Sequence, residues 1–573
     1  MAIEMGEGSG VVFEQDVPVR MRDGVTLRCN VFRPADGRPA PALIQRQPYN
    51  KNAAQTYVYA HPAWYARHGY ATVIQDSRGR YASEGTYYPL LGDAEDGYDT
   101  IEWIAAQPWC DGKVASFGFS IPGVNQLLAA SARPPHLITA IPGFYPQGMY
   151  EGFTHVGGTF GLAAVMDWGV LLAWEEARRK GDAAMLETIR ASASCVGRWS
   201  PTQTLRDIPL LVDPPLMPFL ADYLNHPTYD AYWLQFALAP RIEAVEIPCL
   251  HVSGWYDSFI TQTIEAYERF AALSKADHRL FVGPWYHIPW TQQVGCIDFG
   301  DDAKNVIDEL QLAWFDAHLK GKREALDGLP KVRVFVTGEN RWRNSPTWPL
   351  PGTQIQNLYL HGKGRANSLS GNGALSFEAP GDEPPDFYIY SPEVPVQSAG
   401  GHSCCMPQNT PMGPADQAGV ELRNDVLIYT SAPLDAPLLV AGKVTAVLHA
   451  ATTAVDTDWV VKLCDVSPDG RSINLQEGVV RARYREGTGA ERPIEPNRVY
   501  EYRISVGVVC HQFKPGHKLR VQVTSSNFPA WDRNPNTGGP PGSESPFGLV
   551  VANQTVFHDG ARASHLELPV VRG

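Results

Sequence analysis

Positive charge is in short supply: 48 Lys and Arg stand against 61 Asp and Glu over 573 residues, a net charge of −13. An acidic surface repels phosphate backbones and anionic headgroups, so neither nucleic acid nor an anionic membrane is the expected partner. No run of about eighteen apolar residues occurs, which removes a membrane-spanning helix from the expectation. Residues 1–8 have no basic stretch followed by an apolar core, so no secretory leader is expected. Cysteine is scarce and unpatterned. The nine, at 29, 110, 195, 249, 296, 404, 405, 464 and 510, form no C-x-x-C pair and no Cys/His zinc spacing. Cys249 and Cys464 lie in apolar runs, where a thiol acts as a small hydrophobe. These absences together predict a cytoplasmic protein with reduced thiols and no metal site. The composition, 44% hydrophobic and 19% charged, supports large cores, and the length suggests two to four domains.

The first part of the chain alternates strand-like and helix-like stretches. Residues 17–21 and 27–32 read as a hairpin around Arg22-Asp23-Gly24, and 42–45 and 71–75 as buried strands. Between 92 and 107, Ala94, Tyr98, Ile101 and Ile104 recur at helical spacing, and 113–117 is again strand-like. This βαβ alternation predicts an α/β fold with a parallel sheet. Helices are expected at 165–180, 182–192 and 218–225, so 149–240 reads as a helical insertion capping a pocket. The sheet pattern resumes at 247, with a helix at 303–318 and a last strand at 332–336. Past Pro349, Gly, Pro, Ser and Asn rise. Short alternating segments at 444–450, 458–464, 500–508 and 518–524 predict an all-β sandwich or jelly roll. The expected boundaries are 1–148 and 241–350 for the two parts of the α/β domain, 149–240 for the cap and 351–573 for the β domain.

The stretch Val114-Ala-Ser-Phe-Gly-Phe-Ser-Ile-Pro-Gly-Val124 reads as a strand, a sharp turn with Ser120 at its apex, and a helix. It is similar to the nucleophile elbow of α/β-hydrolases, where a strained turn lifts a serine above the sheet. The usual spacing is G-x-S-x-G; here Pro122 occupies the +2 position and Gly123 follows at +3. A serine nucleophile needs a base and a carboxylate to orient the base, in the order Ser, Asp, His for this fold. Asp257 follows the apolar run that begins Ile247-Pro-Cys-Leu, and His287 follows Arg279-Leu-Phe-Val-Gly-Pro-Trp-Tyr. Both fall where a buried strand gives way to a loop, the rim at which ligand sites of open α/β sheets collect. Singly, Asp257 also suits a helix N-cap and His287 a histidine bound to backbone.

Several segments together resemble the bacterial cocaine esterase-like serine hydrolases, related to X-prolyl dipeptidyl aminopeptidases and α-amino acid ester hydrolases. They are Arg46-Gln-Pro-Tyr49-Asn-Lys51, Asp76-Ser-Arg78-Gly-Arg-Tyr-Ala-Ser-Glu84-Gly85, Gln107-Pro-Trp-Cys-Asp-Gly112, Gly118-Phe-Ser120-Ile-Pro-Gly123, Gly254-Trp-Tyr-Asp257, Gly283-Pro-Trp-Tyr-His287 and Asp532-Arg-Asn-Pro-Asn-Thr-Gly538. The resemblance implies an α/β-hydrolase domain with an inserted helical cap, plus a C-terminal all-β jelly roll. It also implies that the Tyr49 hydroxyl and the Ile121 N–H form the oxyanion hole, and that Phe153, Trp168 and Phe259 line the substrate pocket. Many relatives carry an aromatic directly after the nucleophile; Ile121-Pro122 departs from that. Asp76, Arg78 and Glu84 suit an ion-pair network holding a loop, Trp103 and Trp109 suit the core, and Asp532-Arg533-Asn534 suits a polar turn locking two domains.

The expected activity is hydrolysis of a small-molecule ester or amide with a bulky apolar or aromatic acyl group, through an acyl-enzyme and without a cofactor. Two alternatives stand beside it. An aminopeptidase or α-amino acid ester hydrolase would need carboxylates for a substrate ammonium, and Glu151, Asp167, Glu175 and Glu176 could supply one. A sugar-binding protein with an idle triad would use the β domain instead. The chain's oligomeric state, a homo-oligomer included, stays open.

Overall fold

A computed structural model describes residues 2–4, 10–197, 204–212, 217–404, 409–545 and 547–572. The α/β part is built on one sheet of eleven strands: β1 (Ala2–Glu4), β2 (Val11–Arg20), β3 (Thr26–Pro34), β4 (Ala40–Gln47), β5 (Ala71–Asp76), β6 (Cys110–Phe119), β7 (Leu137–Gly143), β8 (Cys249–Tyr256), β9 (His278–Tyr286), β10 (Val332–Val336) and β11 (Arg341–Ser345). They lie in the order β1-β2-β3-β5-β4-β6-β7-β8-β9-β10-β11. The pairs from β5 through β10 are parallel, and those at both edges are antiparallel.

Neighbouring residues of one strand enter different cores. Ile44, Val73 and Val114 belong to one apolar cluster, and Leu43, Ile74 and Ala115 to another on the opposite face. Both faces of the sheet are therefore covered, and β4, β5 and β8 are buried at every position. That is why β4 opens as an apolar run, Ala40-Pro-Ala-Leu-Ile44, without polar alternation; its last residues, Gln45, Arg46 and Gln47, are polar and buried as well. The expected last strand at 332–336 is not the last. It pairs antiparallel with β11, whose sequence Arg-Trp-Arg-Asn-Ser lies at a half-exposed edge and lacks the apolar pattern of a buried strand.

Between β7 and β8 the chain forms helices at Leu162–Lys180, Ala183–Gly197, Pro209–Val212, Phe219–Asn225 and Ala231–Leu234. Met166, Trp168, Phe219 and Leu220 share the core of one sheet face with Val124 and Leu127, so this segment is packed onto the sheet rather than hung from it. The helix Leu162–Lys180 closes with Arg178, Arg179 and Lys180 against the negative end of its dipole, and Gly181 then turns left-handed at φ 68°.

The C-terminal part holds a second sheet of eleven strands around its own core, ten in one path and Tyr500–Phe513 paired beside it with Leu438–Thr452. All its pairs are antiparallel except Gly373–Ser376 with Leu427–Ser431. The expected strands at 444–450 and 500–508 lie within two longer ones, Leu438–Thr452 and Tyr500–Phe513, the second sharing its first residue with the expected strand. Asp532 ties this part to the helical segment: its carboxylate accepts the Phe160 N–H at 2.7 Å and the Arg481 guanidinium at 3.0 Å. Arg481 also forks onto Asp458 at 2.9 and 3.0 Å. Removing Arg481 would leave the Asp458 and Asp532 carboxylates buried without their shared guanidinium, which makes the cluster costly to break.

Candidate active site

Ser120 sits between β6 and the helix Ile121–Ser131 with φ 67° and ψ −130°. An L-residue reaches positive φ only where the surroundings enforce it. Here the Ser120 N–H donates to the Gly143 and Phe144 carbonyls at 3.0 and 3.1 Å. A Cβ on Gly118 would fall 2.7 Å from Pro122 Cβ, and one on Gly123 would fall 2.4 Å from the Gly143 carbonyl oxygen. The glycine at +3 is thus required by the close approach of the helix to the end of β7. Pro122 lies in the first helical turn, where its missing N–H costs nothing. Ile121 is the first helical residue, at an end where N–H groups lack partners within the helix.

Asp257 follows β8 and is fully buried. One carboxylate oxygen lies 2.7 Å from His287 Nδ1, and the other accepts the Ser253 hydroxyl at 3.1 Å. A carboxylate only accepts, so Nδ1 carries the hydrogen and the neutral ring keeps Nε2 as its basic nitrogen. His287 follows β9, and its carbonyl accepts the Trp290 indole N–H at 2.9 Å. The ring is packed between Phe119 and Phe259, at centroid distances of 5.4 and 5.3 Å. Asp257 does not cap a helix; the following helix, Ile260–Leu273, is preceded by Phe259.

Tyr49 stands on the loop after β4 and lines the same cavity as Ser120. The Trp168 indole N–H donates to Tyr49 Oη at 3.0 Å. Burial pushes the Tyr49 hydroxyl up to about 12, with the Trp168 hydrogen bond and the nearby Ser120 and Arg80 pulling the other way. Tyr49 therefore stays a neutral donor at physiological pH. Its loop is held from two sides. Lys51 donates its N–H and ammonium to Asp76 at 2.7 and 3.0 Å, and Arg80 donates to the Pro48 carbonyl at 3.0 Å. The expected Asp76–Arg78–Glu84 network is different in detail. Arg78 pairs with Asp96 and Asp23, and Glu84 accepts the Thr26 N–H. Arg80 lies within a segment already singled out, but its contact with Pro48 crosses strands and leaves no local signal.

Ser120, Ile121, Tyr49, His287, Phe153, Trp168 and Phe259 all line one cavity of about 340 Å³. Tyr57, Met149, Leu171, Ile288 and Cys404 complete much of its wall and were not foreseen. Among the described residues, no hydrogen bond joins Ser120 to His287, although both line this cavity. Cys404 departs from the expectation of reduced thiols, since it is disulfide-bonded, whereas Cys29, Cys110, Cys249, Cys296, Cys464 and Cys510 are free. Trp103 and Trp109 pack on each other edge to face, away from this cavity. Among the described residues, one group, Cys249, His251 and His278, brings metal-ligating atoms together. It is fully enclosed behind β8, where His251 is hydrogen-bonded to Tyr145 at 2.7 Å and to His278 at 3.2 Å.

A serine on a left-handed turn, with an Asp–His pair at the ends of neighbouring parallel strands, defines an α/β-hydrolase-type arrangement. Residues 23–289 match the X-Pro dipeptidyl-peptidase (S15 family), and 324–567 match the X-Pro dipeptidyl-peptidase C-terminal non-catalytic domain. The chain is 38% identical to the cocaine esterase of Rhodococcus sp. (strain MB1 Bresler) over 97% of its own length and 98% of that protein's. It therefore belongs to the cocaine esterase-like serine hydrolases. Among solved structures it is similar to an aminopeptidase from a marine sediment archaeon, Thaumarchaeota archaeon, at 26% identity and TM-score 0.83, covering 100% of this chain and 98% of that one. It is also similar to an α-amino acid ester hydrolase, at 25% identity and TM-score 0.82, covering 99% and 98%. No described helix is long and apolar enough to cross a membrane.

None of the four cap acids named above lines the cavity at Ser120. Glu175 pairs with Arg178, and Glu176 with Arg179, Lys180 and Arg80. Asp167 is 1% exposed, accepts the Asn409 amide at 2.6 Å through Oδ1 and has no partner for Oδ2. Burial pushes its carboxyl from 3.8 up to about 7, against the pull of the Asn409 bond. Between those values the folded chain holds a proton that the unfolded chain has released, so this group makes stability fall as pH rises through that window. Asp167→Asn keeps the acceptor for Asn409 and removes the ionisation. Its thermal midpoint is expected to exceed wild type at pH 8 and to approach it at pH 5. An equal offset at both pH values would contradict the assignment.

Proposed function

We propose that the chain is a serine esterase acting on uncharged esters, and by extension amides, with a bulky apolar or aromatic acyl group. The observation that carries this is the 2.7 Å Asp257–His287 contact at the wall of the apolar cavity that also holds Ser120 and Tyr49. In this mechanism His287 Nε2 takes the Ser120 proton while Asp257 holds the ring's tautomer. Ser120 Oγ attacks the acyl carbon, and the oxyanion is met by the Tyr49 hydroxyl and the Ile121 N–H. His287 then protonates the leaving oxygen or nitrogen, and water, deprotonated by the same ring, releases the acyl group from Ser120. The residues 149–240 serve as the cap of this pocket, and 351–573 form the jelly roll.

The acyl group is expected against Phe153, Trp168 and Phe259. Phe153 meets Trp168 edge to face at 5.2 Å and Phe259 at 5.9 Å, an aromatic corner suited to a ring or branched alkyl group. The similar cocaine esterase supports ester hydrolysis. The similar aminopeptidase and α-amino acid ester hydrolase favour a second reading, in which the substrate carries an ammonium. That reading needs a carboxylate at the cavity. The residues directly after Asp257 are Ser258, Phe259 and Ile260, and none is acidic.

Ser120→Ala and His287→Ala are each expected to abolish turnover while the fold is kept, with fluorophosphonate labelling lost in the serine variant. Turnover within about tenfold of wild type in either variant would remove the triad assignment. Labelling that never occurs in wild type would favour the idle, sugar-binding alternative. Tyr49→Phe removes one oxyanion donor and little volume. It is expected to lower kcat by roughly 10²–10³ with a smaller change in KM. A raised KM at unchanged kcat would make Tyr49 a substrate-positioning group instead.

The charge preference separates the two ester readings. Matched phenylacetyl and phenylglycyl esters of one phenol, corrected for intrinsic reactivity, are expected to show kcat/KM at pH 8 equal or higher for the uncharged member. A preference of about a hundredfold for the ammonium would transfer the assignment to the amino-ester reading.

A further inference from the structure

A second, smaller cavity of about 90 Å³ lies at the junction of the two sheet-bearing parts, and Phe153 lines both it and the cavity at Ser120. Ser258 and Gln262 reach it from the α/β part; His402, Gln476 and Glu477 reach it from the C-terminal part. Four of its wall atoms, Ser258 Oγ, Gln262 Oε1, His402 Nδ1 and Glu477 Oε2, are buried without a hydrogen-bond partner. Folded proteins seldom leave one such atom unsatisfied, and four around one small space call for a bound species.

The chemistry of that species follows from which hydrogens are already committed. His402 Nε2 lies 2.9 Å from the Trp255 carbonyl and must donate to it, so Nδ1 of the neutral ring is an acceptor. Gln476 directs its amide hydrogens to the Trp255 and Val508 carbonyls at 3.2 and 2.7 Å, leaving only its oxygen. Glu477 can only accept; its Oε1 already takes the His402 N–H at 2.9 Å. Of the four unpartnered atoms, Ser258 Oγ alone carries a hydrogen to give. Glycines keep the space open, since a Cβ on Gly152 would meet Gln262 Oε1 at 2.3 Å and one on Gly507 would meet Gln476 Oε1 at 2.2 Å.

The nearest positive charge does not resolve this. Lys462 is the cross-strand partner of Glu477, but its ammonium goes to Gln417 at 3.0 Å, and among the described residues it forms no ion pair with Glu477. His402 Nδ1 lies 3.8 Å from Glu477 Oε1. Water would supply hydrogens without charge. A divalent ion would find only the carboxyl groups of Glu477 and Glu151 among neutral side chains, fewer oxygen ligands than the sites such ions prefer.

We propose that this junction cavity binds one small monovalent cation, ammonium or an alkali-metal ion, through Glu477, His402, Gln262 and Ser258. The ion would fasten the residue after Asp257 to the C-terminal part. It is a binding site distinct from the reacting centre and stands whether or not the esterase reading holds.

The test is thermal unfolding of the full chain in ammonium, potassium or sodium chloride against tetramethylammonium chloride, a cation too large for the cavity, at one ionic strength. At least one small cation is expected to raise Tm saturably, by about 2 °C or more, as for a ligand bound only by the folded state. The rise is expected to vanish in Glu477→Gln and to shrink in Ser258→Ala, which serves if the first variant does not fold. The same Tm in all four salts, or the same rise in both variants, would overturn the proposal. Crystals grown in rubidium chloride are expected to show anomalous density beside Glu477 Oε2; density fitting water alone would overturn it as well.

Discussion

Everything at the candidate site is measured from a backbone that has been forced into an unfavourable place. Ser120 is held at positive φ by two carbonyls of the β7 end and by a helix that can approach only because residue 123 has no side chain. Conformations of this kind cost of order 1–3 kcal/mol and persist only where the surroundings over-determine them. Here the surroundings are a sheet buried on both faces, so the turn cannot relax without disturbing two cores. Tyr49 and His287 share one cavity with this fixed serine.

The supports of these two side chains differ in kind. Asp257 and His287 are carried by neighbouring parallel strands, so their relation follows from strand register, with β8 and β9 paired from Cys249 opposite His278 to Tyr256 opposite Tyr286. Tyr49 is carried by a loop and needs side-chain braces. The Lys51–Asp76 pair is almost completely buried, and Arg80, 1% exposed, clamps the Pro48 carbonyl. A loop residue placed this firmly behaves as part of the scaffold, which is what preorganised stabilisation of a developing charge demands.

What could be read from the chain beforehand follows the same division. Strands buried on both faces announce themselves as apolar runs, so Ser120, Asp257 and His287 were legible as strand-end residues in sequence order. The half-exposed edge strand β11 was not, because Arg341-Trp-Arg-Asn-Ser345 carries neither an apolar run nor a clean alternation. The role of Tyr49 came through resemblance alone; its own neighbourhood is Pro48 and Asn50. Contacts between remote segments left no trace, whether Arg80 on Pro48 or the four unpaired polar atoms gathered from residues 258, 262, 402 and 477. Hydrophobic periodicity reports on burial, and these features depend on which buried polar atom meets which.

The hydrogen bond from the Trp168 indole to Tyr49 joins a residue of the inserted helices to a residue of the sheet's rim. Trp168 is also an aromatic wall of the cavity. Pocket shape and hydroxyl acidity are therefore set by the same side chain. An engineer who reshapes the pocket at position 168 with an aliphatic residue also withdraws a donor from Tyr49 and makes its phenol a weaker acid. Under the proposed mechanism, selectivity and rate are inherited together at this position, and the helical insertion is not an interchangeable lid.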